Sequence, residues 1–143
     1  MVLHWSDSLD DVDWQELVEL YRLAPLGQKD AAELRTAFGN SRYRCLVRDQ
    51  GRLVGAGRAV ADGIEVSYLA DIAVLPGYQG SGLGKQIVAR LIELSAGHKR
   101  ILLYAVPGKE PFYRRFGFLR MTTAMAIMRD PAQALSRGYL TKT

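Results

Sequence analysis

The spacing of apolar residues first separates helical from extended stretches. Over Asp11–Leu23 apolar side chains return at helical intervals and acidic residues stand near the start, which favours a helix. Residues 30–38 predict a second, short helix that ends at Gly39-Asn40. Residues 1–5 precede both helices and predict a short edge strand.

From Tyr43 onward the pattern takes the period of strands. Apolar and polar residues alternate from Tyr43 to Arg48, and tight-turn sequences follow at 49–52 and at Asp62-Gly63. Leu53–Ala61 and Ile64–Val74 lie on either side of the second turn. Residues 43–74 therefore predict three antiparallel strands in a meander.

A helix and a second apolar run follow the meander. Ile87, Val88 and Leu91 share one face at helical spacing, which predicts an amphipathic helix. Residues 101–106 form an unbroken apolar run, typical of a strand covered on both faces. The order strand, helix, strand predicts a right-handed crossover between parallel strands.

The remaining elements complete the predicted fold class. Residues 110–116 predict a short helix stopped by Gly117, and residues 123–128 predict a last strand. We therefore expect an α+β fold: a mixed, mostly antiparallel sheet with flanking helices and one parallel step. With 143 residues and no repeat or linker, residues 1–143 are expected to form a single domain.

Composition narrows the class of protein. The net charge of +4 comes from scattered basic residues and does not indicate nucleic-acid binding. No apolar run approaches the ~20 residues of a membrane span, and the start lacks the apolar centre of a signal peptide. Cys45 is the single cysteine, which excludes an intrachain disulfide. We expect a cytoplasmic protein with no membrane, nucleic-acid or metal partner.

The most informative segment is Gln79–Lys85, here called the glycine turn. Its three glycines stand at alternate positions between a predicted strand and a helix, so that successive backbone N–H groups can converge on one point. The positive end of the following helix adds to this, and the site suits a pyrophosphate. A plain strand-to-helix turn would contain the same glycines, so the motif alone leaves both interpretations open.

Two common phosphate motifs do not fit the glycine turn. A Walker A loop needs glycine where Gln79 stands and Ser or Thr where Gln86 stands. The dinucleotide fingerprint needs glycine at position 85, which is lysine, and a preceding parallel strand rather than a meander. Neither a P-loop nor a dinucleotide fold is expected.

Two motifs carry a resemblance to a known family. Gln79-Gly80-Ser81-Gly82-Leu83-Gly84, preceded by the strand residues 71–76, resembles the cofactor signature Q-x-x-G-x-G of the GCN5-related N-acetyltransferases. Further along, Phe112-Tyr113-Arg114-Arg115-Phe116-Gly117-Phe118 resembles the second signature of that family. The predicted order of elements from residue 11 to 128 is also similar.

The resemblance implies an acetyl-CoA-dependent N-acetyltransferase with assigned residues. The strand before the turn would bind the pantetheine arm through Ile72, Ala73 and Val74. The glycine turn would bind the pyrophosphate through Gln79, Gly80, Ser81, Gly82, Leu83, Gly84 and Lys85. Tyr113 would protonate the departing thiolate. Relatives are often dimers, so the resemblance also implies a homodimer.

The chemistry of acyl transfer supports the assignment of Tyr113. Transfer from a thioester needs an unprotonated amine, a polarised carbonyl and a proton for the leaving sulfur. A phenol has a reference pKa of ~10, so it is protonated at neutral pH and can donate to a thiolate. An aromatic core residue between Phe112 and Phe116 is the alternative interpretation.

The general base is less well defined. The family positions that often hold a glutamate or histidine fall on Tyr68 and Ala70, which are neither. Asp71 is the nearest acidic residue and is the candidate base, with a structural carboxylate near a strand bulge as the alternative. Glu65 lies farther along the strand, and a chain of waters to solvent needs no side-chain base.

The sequence also leaves undetermined one contact to the cofactor and the identity of the acceptor. The asparagine that many relatives have after the buried strand is absent from residues 106–111, so the backbone or Lys109 would replace its contact. Tyr21 and Tyr68 are candidate acceptor-binding residues. A small-molecule amine is the expected acceptor, and a protein lysine or N-terminus is the enzymatic alternative. A non-catalytic module that binds acyl-CoA is the alternative from another class.

Overall fold

The computed structural model describes residues 2–143, which form two compact units. The first unit ends at Leu103 and the second runs from Tyr104 to Thr143. The first contains five strands: β1 (Leu3–Ser6), β2 (Tyr43–Asp49), β3 (Arg52–Ala61), β4 (Val66–Val74) and β5 (Arg100–Leu102). Its helices are α1 (Trp14–Leu23), α2 (Ala31–Gly39) and α3 (Leu83–Leu94).

The five strands form one sheet in the order β1-β2-β3-β4-β5. The first four strands pair antiparallel, and β5 pairs parallel with β4. Helix α3 connects β4 to β5, as a crossover between parallel neighbours requires. The predicted fold class, the meander over 43–74 and the single parallel step are confirmed.

Aspartates define where the first two helices begin. Asp13 caps α1 by accepting hydrogen bonds from the backbone N–H groups of Gln15 and Glu16, so this helix begins three residues later than its predicted start at Asp11. Asp30 caps α2 through the N–H of Glu33. A capping carboxylate satisfies N–H groups that have no partner inside the helix.

Helix α3 lies close to the sheet because β3 carries glycines. Ile87, Val88 and Leu91 are fully buried beneath the sheet. A Cβ at Gly55 would stand 2.8 Å from the Cδ1 of Ile87, and one at Gly57 would stand 3.0 Å from the Cγ2 of Ile87. The small residues of β3 therefore determine how closely the start of α3 approaches the sheet.

The predicted strand at 101–106 is wrong in length and burial. The observed β5 ends at Leu102, its apolar side chains are half-buried, and Tyr104 and Val106 are exposed. An unbroken apolar run shows that a strand is favoured, but its length depends on the partner. Here β4 pairs with only three residues of β5.

The second unit contains two short helices, α4 (Glu110–Arg114) and α5 (Pro131–Ser136). The predicted last strand at 123–128 is wrong: this segment has no strand pairing among the described residues, and Met125 and Ile127 are fully exposed. Helix α5 was not predicted, although Asp130-Pro131 is a helix-start signal: Asp130 accepts from the N–H of Gln133, and Pro131 occupies the first turn.

Candidate functional site

The glycine turn has the backbone shape that its glycines allow. A one-turn 3-10 helix at Pro76–Tyr78 follows β4, and Gly80 and Gly82 then take φ values of 81° and 89°. A side chain at either position would meet open space within 4 Å, so crowding is not the reason for glycine. The left-handed backbone is the reason, because it disfavours residues with a Cβ.

The start of α3 leaves backbone donors available. Gly82 is the N-cap and has no side chain to accept from the first turn. The first N–H bonded within the helix is that of Gln86, which donates to the carbonyl of Gly82 at 3.0 Å. The described residues supply no acceptor for the N–H groups of residues 82–85. Such a helix start, with its positive dipole end, fits a diphosphate.

Polar side chains of the glycine turn hold the turn in place. The Nε2 of Gln79 donates to the carbonyl oxygens of Ala24 and Val74 at 3.1 and 3.0 Å. The hydroxyl of Ser81 donates to the carbonyl of Tyr78. Lys85 is exposed on the first turn of α3. Gln79 therefore links the loop after α1 to the end of β4, a role that the motif itself does not reveal.

A bulge interrupts β4 just before the glycine turn. Ala56 pairs with Ala73 and Arg58 pairs with Ala70, so that two residues of β4, Asp71 and Ile72, lie opposite one residue of β3. Asp71 has φ 54°, a left-handed value that is uncommon for a residue other than glycine. A bulge bends the strand and re-aims the residues that follow it.

Three side chains hold the bulge, and with Asp71 they form what we call the bulge cluster. The Nε of Arg58 donates to the Oδ2 of Asp71 at 2.7 Å, and the Nζ of Lys29 donates to its Oδ1 at 3.3 Å. The hydroxyl of Tyr21 donates to the backbone carbonyl of Asp71 at 2.7 Å. Both carboxylate oxygens of the candidate base therefore already accept a hydrogen bond from a cation.

Two members of the bulge cluster were missed from the sequence. Lys29 and Arg58 lie 42 and 13 positions from Asp71 along the chain. No local pattern marks either residue, because the loop before α2 and the pairing of β3 with β4 bring them together.

Beyond its first residues, β4 has an open edge. Strand β5 pairs with Val66, Ser67 and Tyr68 and with no later residue of β4. Ile72, Ala73 and Val74 thus lie past the paired part, between the bulge and the glycine turn. Ala73 and Val74 are buried, and Ile72 is half-buried. Unpaired strand edges offer backbone N–H and C=O groups to an extended ligand.

A cavity of about 570 Å³ lies beside the bulge cluster. Most of the residues that line it are polar or charged, and the full lining comprises Gln28, Lys29, Asp30, Glu33, Leu34, Ala37, Arg58 and Asp71. The size falls within the range of small-ligand pockets, roughly 300–1,000 Å³. The structure therefore places a ligand-sized cavity next to Asp71.

The two predicted acceptor-binding tyrosines differ in position. Tyr21 is fully buried and its hydroxyl is bonded to Asp71, while burial raises the pKa of its phenol well above the ordinary value. Tyr68 is half-buried on β4 and pairs with Val60 and Leu102 in the sheet. The structure thus shows Tyr21 supporting the bulge, and acceptor contact by either tyrosine stays a prediction.

Tyr113 lies in the second unit, on α4. Its ring packs edge-to-face against Phe112 and Phe118, with centroids 5.0 and 6.1 Å apart. Burial raises the pKa of the Tyr113 phenol above its ordinary value. A raised pKa keeps the phenol protonated at neutral pH, as a proton donor requires.

The segment without the family's asparagine lies at the start of the second unit. Lys109 is exposed at the N-cap of α4. The N–H of Gly108 donates to the Oε1 of Glu110 at 2.6 Å, so a side chain already satisfies this backbone group. The replacement contact by Lys109 or the backbone stays a prediction.

Within residues 2–143, none of the helices combines the length and apolar character needed to cross a membrane. The same residues contain no group of three or more His, Cys, Asp or Glu side chains placed to hold a metal ion.

Comparison with known proteins gives consistent matches. The family model described as Acetyltransferase (GNAT) family matches residues 9–118. Histone acetyltransferase TAP1 from Glycine max is 40% identical over 72 residues, which cover 49% of this chain and 31% of that protein. Serotonin N-acetyltransferase 2, chloroplastic, from Oryza sativa subsp. japonica is 40% identical over 70 residues, which cover 48% of this chain and 35% of that protein.

These matches cover only part of the two plant proteins: the chain matches about a third of the length of each. A solved structure of a GNAT-family acetyltransferase from Streptococcus pneumoniae superposes with a TM-score of 0.73 at 24% identity. It covers 90% of this chain and 98% of that one. At this identity the structural likeness supports the fold.

Proposed function

Because this chain belongs to the acetyltransferase (GNAT) family, we propose that it moves an acetyl group from acetyl-coenzyme A directly onto the primary amine of a small molecule. The observation that carries the proposal is the row of backbone N–H groups at residues 82–85, for which the described part of the chain supplies no acceptor. Acetyl-CoA supplies an acetyl group activated as a thioester, together with a thiolate that leaves.

Binding is divided between the glycine turn and the open edge of β4. The turn binds the diphosphate through backbone groups and Lys85, using residues Gln79, Gly80, Ser81, Gly82, Leu83, Gly84 and Lys85. On the edge of β4 that faces away from β3, past the part paired with β5, backbone groups of Ile72, Ala73 and Val74 hydrogen-bond the extended pantetheine arm as an added strand would. The bulge just before these residues sets their direction.

Two proton movements accompany transfer. Tyr113 donates its proton to the departing thiolate, and its raised pKa supports this role. The acceptor amine loses its proton to water that connects to solvent. We assign Asp71 a positioning role rather than that of the base, because Arg58 and Lys29 already hold its two oxygens.

The cavity beside the bulge cluster supports a small-molecule acceptor. Its volume of about 570 Å³ suits a small molecule. Asp30 and Glu33 line it and would attract an ammonium group before deprotonation. The names of the two plant relatives give a histone and serotonin as acceptors, so these names do not select a class. One of those names includes chloroplastic; a cytoplasmic location and a homodimer stay predictions for this chain.

Binding and turnover together test the proposal. The melting temperature should rise with acetyl-CoA, because a ligand present at 100 times its Kd stabilises the folded state by about 2.7 kcal/mol. Free-thiol release is then measured across a panel of amines and a panel of lysine peptides. We expect release with small amines. An unchanged melting temperature would exclude both catalysis and binding, and a shift without turnover on either panel would favour a binding module.

The role of Tyr113 is tested with two matched variants. Tyr113→Phe should keep the acetyl-CoA-dependent melting shift and lower kcat by about 10²–10⁴-fold. Tyr139→Phe, which changes another half-buried tyrosine of the second unit, should leave kcat unchanged. Equal rates in all three proteins would remove Tyr113 from the mechanism.

A further inference from the structure

A second cavity, of about 310 Å³, adjoins the glycine turn. It lies between β1 and the start of α3 and is lined by Leu3, Trp5, Ser81, Leu83 and Gln86. Two of these residues, Ser81 and Leu83, belong to the glycine turn itself. The cavity therefore borders the segment that is proposed to bind the diphosphate.

The cavity presents a large aromatic ring to solvent. Trp5 is 39% exposed, although it sits in a strand, and it shares one face of β1 with Leu3. It pairs across the sheet with Val47, which is fully buried. The other tryptophan, Trp14, packs edge-to-face on Phe38 at 6.3 Å and lies away from this cavity. Core packing thus explains Trp14 but leaves the exposed face of Trp5 without a role.

The chemistry of the lining matches a nucleobase. An indole face stacks on any flat aromatic base. The side-chain amide of Gln86 is exposed and can both donate and accept, as the edge of an adenine requires. The volume is at the lower end of small-ligand pockets, roughly 300–1,000 Å³.

We propose that this cavity binds the adenine of coenzyme A, with Trp5 stacked on the base and Gln86 bonded to its edge. The proposal rests on the proposed function, since it takes the diphosphate to lie on the glycine turn. In the sheet order β1 is at one end and β4 is next to the other. The two ends of the ligand therefore leave the turn in different directions, with the pantetheine along the edge of β4 and the base toward β1.

The test compares a whole and a truncated acetyl donor. Acetyl-CoA carries the adenosine, and acetyl-4′-phosphopantetheine lacks it. Trp5→Ala should raise KM for acetyl-CoA about 5- to 150-fold, from the typical contribution of a base stacked on an aromatic ring, and leave KM for the truncated donor unchanged. Trp5→Phe keeps a ring and should restore most of the affinity. His4→Ala, on the opposite face of β1, is the matched control and should change neither KM.

A binding signal checks the contact independently of turnover. Addition of CoA should quench the fluorescence of Trp5, measured in a Trp14→Phe background, and 4′-phosphopantetheine should not quench it. Equal effects of Trp5→Ala on the two donors, or no effect on acetyl-CoA, would overturn the adenine site while leaving the proposed function intact. A wild-type protein that binds neither donor would overturn both.

Discussion

The glycine turn and the bulge cluster lie at successive points of the same chain but are built in opposite ways. The turn is local: seven consecutive residues form it, and residues 2–143 supply no acceptor for its backbone N–H groups at 82–85. The bulge cluster is distant in sequence: residues from α1, the next loop, β3 and β4 meet there, and their polar groups are bonded to one another. An unpartnered backbone suits binding a ligand, and a bonded cluster suits holding a shape.

The largest effect is expected from a change to the carboxylate of the bulge cluster. Asp71→Asn should lower the free energy of unfolding by about 1.5–3 kcal/mol, because it weakens hydrogen bonds from two cations in a largely buried place. KM for acetyl-CoA should rise because the bulge loses its support, and the acidic limb of the kcat pH profile should stay in place. Urea unfolding and pH-dependent kinetics measure these effects.

A surface pair provides the control for Asp71→Asn. Glu93→Gln breaks the exposed pair with Arg90 and should change stability little. If Asp71→Asn instead abolishes the acidic limb and lowers kcat with KM unchanged, Asp71 is the general base and the positioning role is wrong.

The second prediction concerns the left-handed backbone of the glycine turn. Gly82→Ala places a Cβ on a residue at φ 89°, which costs about 1–2 kcal/mol unless the turn rearranges. Since this backbone positions the N–H groups that are proposed to bind the diphosphate, its cost should appear as about 5- to 30-fold weaker acetyl-CoA binding measured by calorimetry. Gly77→Ala is the control, since Gly77 has no positive φ and a Cβ there meets open space. Equal losses in both variants would mean that the left-handed backbone is not what binding requires.

These two regions also show how far sequence reasoning reaches. The turn was predicted in the right place, between a strand and a helix, because alternate glycines before an amphipathic helix are a local signal. The meander was also predicted, because the alternation of apolar and polar residues and the tight-turn sequences are local signals. The partners of Asp71 were not, because Lys29 and Arg58 meet it only through the folded sheet. The missing strand at 123–128 is a related error: apolar residues favour a strand, but a partner strand has to be present.

The smallest expected effect concerns the tyrosine behind the bulge. Tyr21→Phe removes one hydrogen bond to the carbonyl of Asp71 and should lower stability by about 1 kcal/mol at pH 7. Burial raises the pKa of Tyr21, so only its neutral form fits the fold. Its contribution is therefore present below the unfolded pKa of ~10 and is lost as pH rises toward the folded value.

Free energies of unfolding measured at pH 7, 9 and 11 test whether the contribution of Tyr21 to stability decreases as pH rises. The difference in free energy of unfolding between the wild type and Tyr21→Phe should decrease at the highest pH, because only the wild type has to keep that phenol protonated. A stability difference that stays constant or widens with pH would show that the fold tolerates the ionised phenol, contrary to its full burial.

The central claim is that the backbone N–H groups at the start of α3 bind the diphosphate of coenzyme A. The most direct measurement is a titration of ¹⁵N-labelled protein with CoA, following each backbone amide by NMR. We expect the amide signals of Gly82, Leu83, Gly84 and Lys85 to move most among those of α3 and its preceding turn, and to move far less with CoA in Gly82→Ala. Amide signals that stay fixed at these four residues while CoA binds would contradict this claim.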